Sequence, residues 1–376
     1  MPRTVQSIAI SGYKSIDAAK LVLGPVTVLV GPNGAGKSNV IEAVELLGRI
    51  ADAELALEVG LRGGAAAVLH DGAKGPAHIS LRAEASDGKR GNAYEAVLVP
   101  AAQAGLIFER EVVEFHDKTR YQQPWNQIIG RGHQESRLAE VAAGDTTGSD
   151  VARHTLDMLQ GCRVYHFQDT SAQAPVKQPG YASDTEILHP DARNLAAFLA
   201  RLQAESPADY QSIVRTVQTV APFFRDFVLS PDSSGRVSLR WKQVHSSTVF
   251  PAEALSDGTL RFICLATLLL QPRPPALLVL DEPELGLHPF AISILVEMLR
   301  SASVRSQVLA ATQSVTLLDH MELEELVVTE RVEGATQLRR PDREELAAWL
   351  DDYSLGDLWL KNLLGGRPRP ETGRRA

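Results

Sequence analysis

The segment Gly31-Pro32-Asn33-Gly34-Ala35-Gly36-Lys37-Ser38 constrains this chain more than any other stretch. It meets the pattern G-x-x-x-x-G-K-[ST] in full, and both flanks have the character that pattern needs. Val26 to Val30 is an unbroken apolar run that reads as a buried parallel strand. From Ser38 to Arg49, Val40, Ile41, Val44 and Leu47 fall on one face of a helix. Strand, glycine-rich turn and helix together make an anion site. The glycines let backbone N–H groups converge, and the helix start adds its positive end. Lys37 supplies a cation for β- and γ-phosphates, and the Ser38 hydroxyl is a ligand for Mg2+. The expected ligand is ATP, held on an α/β fold.

A second segment, Leu277-Leu278-Val279-Leu280-Asp281-Glu282, is four apolar residues ending in two acids. Taken alone, such a strand end is as readily a pair of solvated carboxylates. Downstream of a phosphate loop it reads as the second metal strand. Asp281 would hold Mg2+ directly or through water, and Glu282 would sit where a general base orients the attacking water. A third, Leu255-Ser256-Asp257-Gly258-Thr259, precedes the apolar run Leu260 to Leu270. Ser256 is a good helix N-cap, and Gly258 admits a phosphate close to the free N–H groups of the helix end.

With Gly12-Tyr13-Lys14-Ser15, the loop continuing as Asn39, the run Asp281 to Pro289 and Ala311-Thr312-Gln313-Ser314, these blocks stand in an order that resembles ABC-type ATPases. It resembles in particular the soluble RecF/SMC/OLD-like group. The resemblance implies a P-loop NTPase fold of ABC type and hydrolysis of ATP with Mg2+. It implies an ATP-dependent homodimer in which Ser256 and Gly258 of one copy touch the γ-phosphate bound by Lys37 of the other. Nucleotide contacts carried over are Asn33, Gly34, Ala35, Gly36, Lys37, Ser38, Asn39 and Lys14, with Tyr13 near the adenine. Gln168, after the apolar run from Val164, takes the glutamine-loop position and contacts metal or water. Glu284 to His288 becomes the loop passing between subunits. Gln313 stands at the switch position, where many relatives carry histidine; an amide donates a hydrogen bond there but carries no charge. Asp257 and Thr259 depart from the commoner L-S-G-G-Q signature.

The strand and helix pattern predicts a mixed β-sheet with an antiparallel extension and an inserted helical lobe. The expected division is 1–121 and 226–340 for the two parts of the ATPase core, 122–225 for the lobe, and 341–376 for C-terminal helices and a basic tail. Strands are expected at Ser7–Ser11, Ala19–Leu23, His78–Ala85, Ala93–Val99, Leu106–Phe115, Ala276–Leu280 and Gln307–Ala311. Glu325–Thr329 is expected as an edge strand, and a hairpin around Ser233-Ser234-Gly235. The interval from loop to signature lacks sustained heptads, and the span after Ser314 is too short for a nuclease domain, so a bare ATPase head is expected.

The net charge of −8 argues against a broad basic surface, although Arg367, Arg369, Arg374 and Arg375 gather at the C-terminus. Cys162 and Cys264 are the only cysteines and form no metal-spaced pair. His166, His288 and His320 lack the i, i+4 spacing of a zinc helix. No signal-peptide pattern and no run long enough to span a bilayer is present, so a cytoplasmic protein is expected. Two roles fit: an ATPase serving DNA repair or defence against foreign DNA, with DNA as partner, or an ATP-gated switch that controls a separate effector protein.

Overall fold

The computed structural model describes residues 4–70 and 78–366. Its strands are β1 (Val5–Tyr13), β2 (Ile16–Val22), β3 (Val26–Val30), β4 (Ile79–Ser86), β5 (Arg90–Pro100), β6 (Leu106–Asp117), β7 (Trp125–Gly130), β8 (Cys162–Tyr165), β9 (Gly180–Tyr181), β10 (Phe224–Val228), β11 (Arg236–Val237), β12 (Arg240–Gln243), β13 (Val249–Pro251), β14 (Leu277–Asp281), β15 (Gln307–Thr312), β16 (Leu326–Val332) and β17 (Ala335–Arg339). Its helices are α1 (Lys37–Ala51), α2 (Leu55–Leu61), α3 (Ala65–Val68), α4 (Leu138–Ala142), α5 (Thr147–Gln160), α6 (Leu195–Glu205), α7 (Pro207–Val220), α8 (Asp257–Leu270), α9 (Pro289–Ser303), α10 (Val315–Leu318), α11 (Arg343–Leu350) and α12 (Leu355–Leu360).

The core is a six-stranded sheet in the order β17-β16-β3-β15-β14-β8. All pairings in it are parallel except β16 with β17. Both faces of this sheet are covered, which explains the continuous apolar runs. Val28, Leu278, Leu280, Val308 and Ala310 pack to one side with α6 to α9. Leu29, Val279, Leu309 and Ala311 pack to the other, against Val40, Val44 and Leu47 of α1. Each fully buried side chain of that size contributes about 1.5–3 kcal/mol. The antiparallel strands β2-β1-β4-β5-β6-β7 form a second six-stranded sheet on the far side of α1. The mixed α/β class therefore holds, with the antiparallel part as a sheet of its own.

The lobe expected as helical over 122–225 contains strands. β7 joins the edge of the antiparallel sheet, and β8 forms one edge of the core sheet beside β14. Both are short and neither alternates cleanly between apolar and polar residues, so their pairing is decided by neighbours far along the chain. α6 and α7 are the helices of this lobe's second half, and they pack with the small sheet β10-β12-β13. The hairpin around 233–235 is looser than expected: Phe227 pairs with Trp241, while β11 turns aside to pair with β9. Residues 326–332 are not an edge strand, because β17 folds back outside them. The basic C-terminal tail with Arg367, Arg369, Arg374 and Arg375 lies outside the described residues.

Candidate functional site

The parallel strands β3, β15, β14 and β8 point the same way, so their C-terminal ends share one edge of the sheet. That edge is where open α/β sheets take ligands. It carries the phosphate loop after β3, Gln313 after β15, Asp281 and Glu282 at the end of β14, and Gln168 just beyond β8.

The loop is prepared for an anion. Helix α1 starts on Gly36, in the left-handed region at φ 103°, and no side chain caps it. Its first N–H groups are thus left for a ligand. Any Cβ on Gly36 would lie 2.0 Å from the Thr336 hydroxyl oxygen, so only glycine fits. Asn33, Gly34 and Ser38 are exposed, whereas Ala35 and Lys37 are buried. The Lys37 ammonium donates to Gly31 O at 2.7 Å and Pro32 O at 3.1 Å. Burial lowers its pKa, opposed by the charges of Glu282, Asp281 and Glu284. A phosphate arriving here would replace two neutral carbonyl partners with an anionic one.

Ser38 Oγ lies 3.4 Å from Asp281 Oδ2, so the two expected Mg2+ ligands meet. Burial, then the neighbouring Glu282 charge, raises the Asp281 pKa. Among the described residues no group of three His, Cys, Asp or Glu side chains could hold a metal. The protein donors Ser38 and Asp281 fit Mg2+ that shares its shell with substrate phosphates, as this cation prefers. When bound, the ion neutralises charge on those phosphates. Gln168 Nε2 donates to the backbone oxygen of Asp281 at 3.2 Å, which brings that side chain to the same strand end.

Glu282 adopts φ 47°, a left-handed conformation unusual for a non-glycine residue. Its N–H still bonds to Ala311 O at 2.8 Å, so the kink turns the side chain without breaking the strand pairing. Gln313 Nε2 donates to Glu282 Oε1 at 2.5 Å, joining the two expected catalytic residues. Such strain of about 1–3 kcal/mol persists only where surrounding structure holds it.

The signature, Leu255 to Thr259, leads into α8. Ser256 caps α8, its Oγ accepting from Thr259 N at 3.2 Å, and it remains exposed. A Cβ on Gly258 would come 2.6 Å from Gly286 O, which ties the signature to the loop after the acidic strand. Among the described residues no hydrogen bond joins 256–259 with 31–38. Arg261, one turn into α8, donates to Leu285 O and Gln168 O at 3.0 and 2.7 Å. Sequence reasoning missed Arg261, since nothing in its local pattern marks it.

Two sequence expectations change. Glu284 is not part of an exposed loop: it is buried, its Oε1 accepts from the Thr312 hydroxyl, and burial raises its pKa. Leu285, Gly286 and His288 are the exposed part of that loop. Tyr13 is fully buried and so unavailable to stack on a base, while the Lys14 ammonium is held by Glu42 of α1. Asn39 turns from the loop to Ser15, donating to its hydroxyl at 2.6 Å.

A family model matches residues 26–97 and 163–319, more than half of the chain; its description is "AAA domain, putative AbiEii toxin, Type IV TA system". The chain belongs to this AAA-domain family. No curated protein matches it. Among solved structures, it is similar to an Smc head bound to the C-terminal winged-helix domain of ScpA. That match has TM-score 0.57 and 14% identity and covers 89% of this chain and 97% of the other. It is also similar to an Smc head with an extended coiled coil, bound to the C-terminal domain of ScpA, from Pyrococcus furiosus. There the TM-score is 0.55 at 14% identity, covering 94% and 99%. At such identity these structures speak for the fold alone, which is similar to that of an Smc head. Family and fold support ATP binding and hydrolysis by this AAA-domain protein. No helix among its described residues is long and apolar enough to cross a membrane.

Proposed function

We propose that the protein hydrolyses Mg-ATP between two copies of itself and serves DNA repair or defence against foreign DNA. The observation that supports the composite site is that, among the described residues, no hydrogen bond joins the signature to its own chain's loop. Ser256 is exposed and its hydroxyl bonds only within its own helix turn, which leaves it open to a phosphate held by another copy. Leu285 and Phe290, 43% and 51% exposed in and just after the loop that follows the acidic strand, are apolar surface suited to closure against that copy. In the closed state Lys37 and the loop N–H groups bind the phosphates, Ser38 and Asp281 hold the metal, and Glu282 accepts the water's proton. Ser256 and Gly258 complete the γ-phosphate contacts in trans. Lys14 would reach nucleotide only by leaving Glu42.

The second reading is an ATP-gated switch acting on a separate effector, with slow hydrolysis. Gln313 favours it, because it already occupies Glu282 and cannot add positive charge to the transferring phosphoryl group. A toxin in the family description fits either defence or effector control.

The solution mass of Glu282→Gln protein with and without Mg-ATP tests the composite site. A shift from monomer to dimer is the expected result. A mass that ignores ATP would remove the trans roles of Ser256 and Gly258. Duplex DNA added to the same samples separates the two roles: ATP-dependent binding that weakens with salt supports the first. No binding at low salt, with or without ATP, leaves the switch.

A further inference from the structure

The phosphate loop is held from behind by a residue far from every motif. Thr336 lies on β17, the antiparallel edge strand of the core sheet, and is 1% exposed. Its N–H donates to Ser15 O at 2.7 Å, which fastens the edge hairpin to the turn between β1 and β2. Its hydroxyl donates to Ala35 O at 3.0 Å, inside the loop. Ser15 Oγ is 2.6 Å from Thr336 Oγ1, and Asn39 Nδ2 donates to Ser15 Oγ at 2.6 Å.

The direction of this chain follows from its proton count. A hydroxyl has one proton. Thr336 gives its own to Ala35 O, so in the contact between the hydroxyls Ser15 must be the donor. The order runs from the Asn39 amide to the Ser15 hydroxyl, to the Thr336 hydroxyl, to the Ala35 carbonyl. Each link polarises the next. The Ala35–Gly36 peptide is trans, so its N–H points opposite to its C=O. Drawing the carbonyl toward Thr336 aims the Gly36 N–H away from the edge hairpin, to the side of the uncapped start of α1. The absent Cβ on Gly36 is what lets the Thr336 hydroxyl approach at all.

We infer that Thr336 is a positioning residue of the nucleotide site: through Ser15 and Ala35 it sets the loop peptide whose N–H binds phosphate. This deepens the ATP reading above and rests on it. A hydrogen-bonded carbonyl also makes the N–H of the same peptide a stronger donor, so the chain serves both aim and strength.

The test measures Mg-ADP affinity and ATP turnover of the full chain as wild type, Thr336→Val, Thr336→Ser and Lys37→Ala. Valine keeps the shape and removes the donor. Thr336→Val is expected to bind Mg-ADP about ten-fold more weakly. KM for ATP should rise while kcat at saturation stays within about two-fold, the mark of lost uniform binding. Thr336→Ser should restore wild-type affinity, which a role in packing alone would not predict. Should Thr336→Val fail to fold, Ser15→Ala breaks the chain one link earlier and is expected to weaken Mg-ADP in the same direction. Lys37-dependent binding that neither Thr336→Val nor Ser15→Ala weakens overturns the inference alone. Equal binding by wild type and Lys37→Ala overturns the nucleotide reading, and the inference with it.

Discussion

Glu282→Gln is expected to bind Mg-ATP as wild type does and to release phosphate about 10²–10⁴-fold more slowly, the usual contribution of a positioned general base. The substitution keeps the shape and the hydrogen bond, because a glutamine oxygen still accepts from Gln313 Nε2. It also removes one negative charge facing the phosphates, so ground-state binding has no reason to weaken. What is lost is a basic oxygen at the point where the water's proton must go. Phosphate release at saturating ATP, with nucleotide affinity measured on the same protein, checks both halves. An unchanged rate would remove Glu282 from the base role and leave its strained backbone without a catalytic reason.

The second large effect concerns stability. Asp281, Glu282 and Glu284 crowd one strand end, and Lys37 is the cation whose charge they share. Burial and mutual repulsion raise the pKa of Asp281, so its charge opposes the ligand-free fold at neutral pH. Asp281→Asn should therefore abolish Mg-dependent turnover and yet raise the ligand-free melting temperature, by about 2 °C for a gain on the order of 1 kcal/mol. The pH dependence has a definite sign. With a raised carboxylate pKa the folded state binds more protons than the unfolded one, so this group favours the fold increasingly as pH falls through that pKa. The advantage of Asp281→Asn over wild type should then shrink as pH drops from neutral toward the carboxylate range. Calorimetry of both proteins without nucleotide reads it. A melting temperature below wild type at neutral pH would mean that the bond from Ser38 outweighs the repulsion.

How much was legible varied with how local the cause was. Lys37, Ser38, Asp281 and Glu282 stand in contiguous motifs, and the structure brings them to one sheet edge. The burial of Glu284 was not legible, because in the sequence it is one more acid in a polar loop. Its partner is the Thr312 hydroxyl on the neighbouring strand. Strand β7 was hidden for the same reason, being a short segment whose partner lies elsewhere; the apolar run from Val164 could be read, but not its pairing with β14. The burial of Tyr13, expected near the adenine, was likewise not legible, because its packing with the α1 side of the core depends on tertiary neighbours.

The sequence by itself determined that the chain makes a phosphate loop between a buried strand and a helix, followed by an acidic strand end. Backbone recognition of phosphate needs a short contiguous run of particular residues, and such a run is readable without a fold. Only the tertiary structure decided which side chains complete the site. The Gln313–Glu282 bond and the Arg261 contacts depend on which strands and loops become neighbours. So does the Thr336 bond to Ala35, which joins residues 301 positions apart. Sheet order sets such contacts through burial of both faces of the core, and no local pattern records that order.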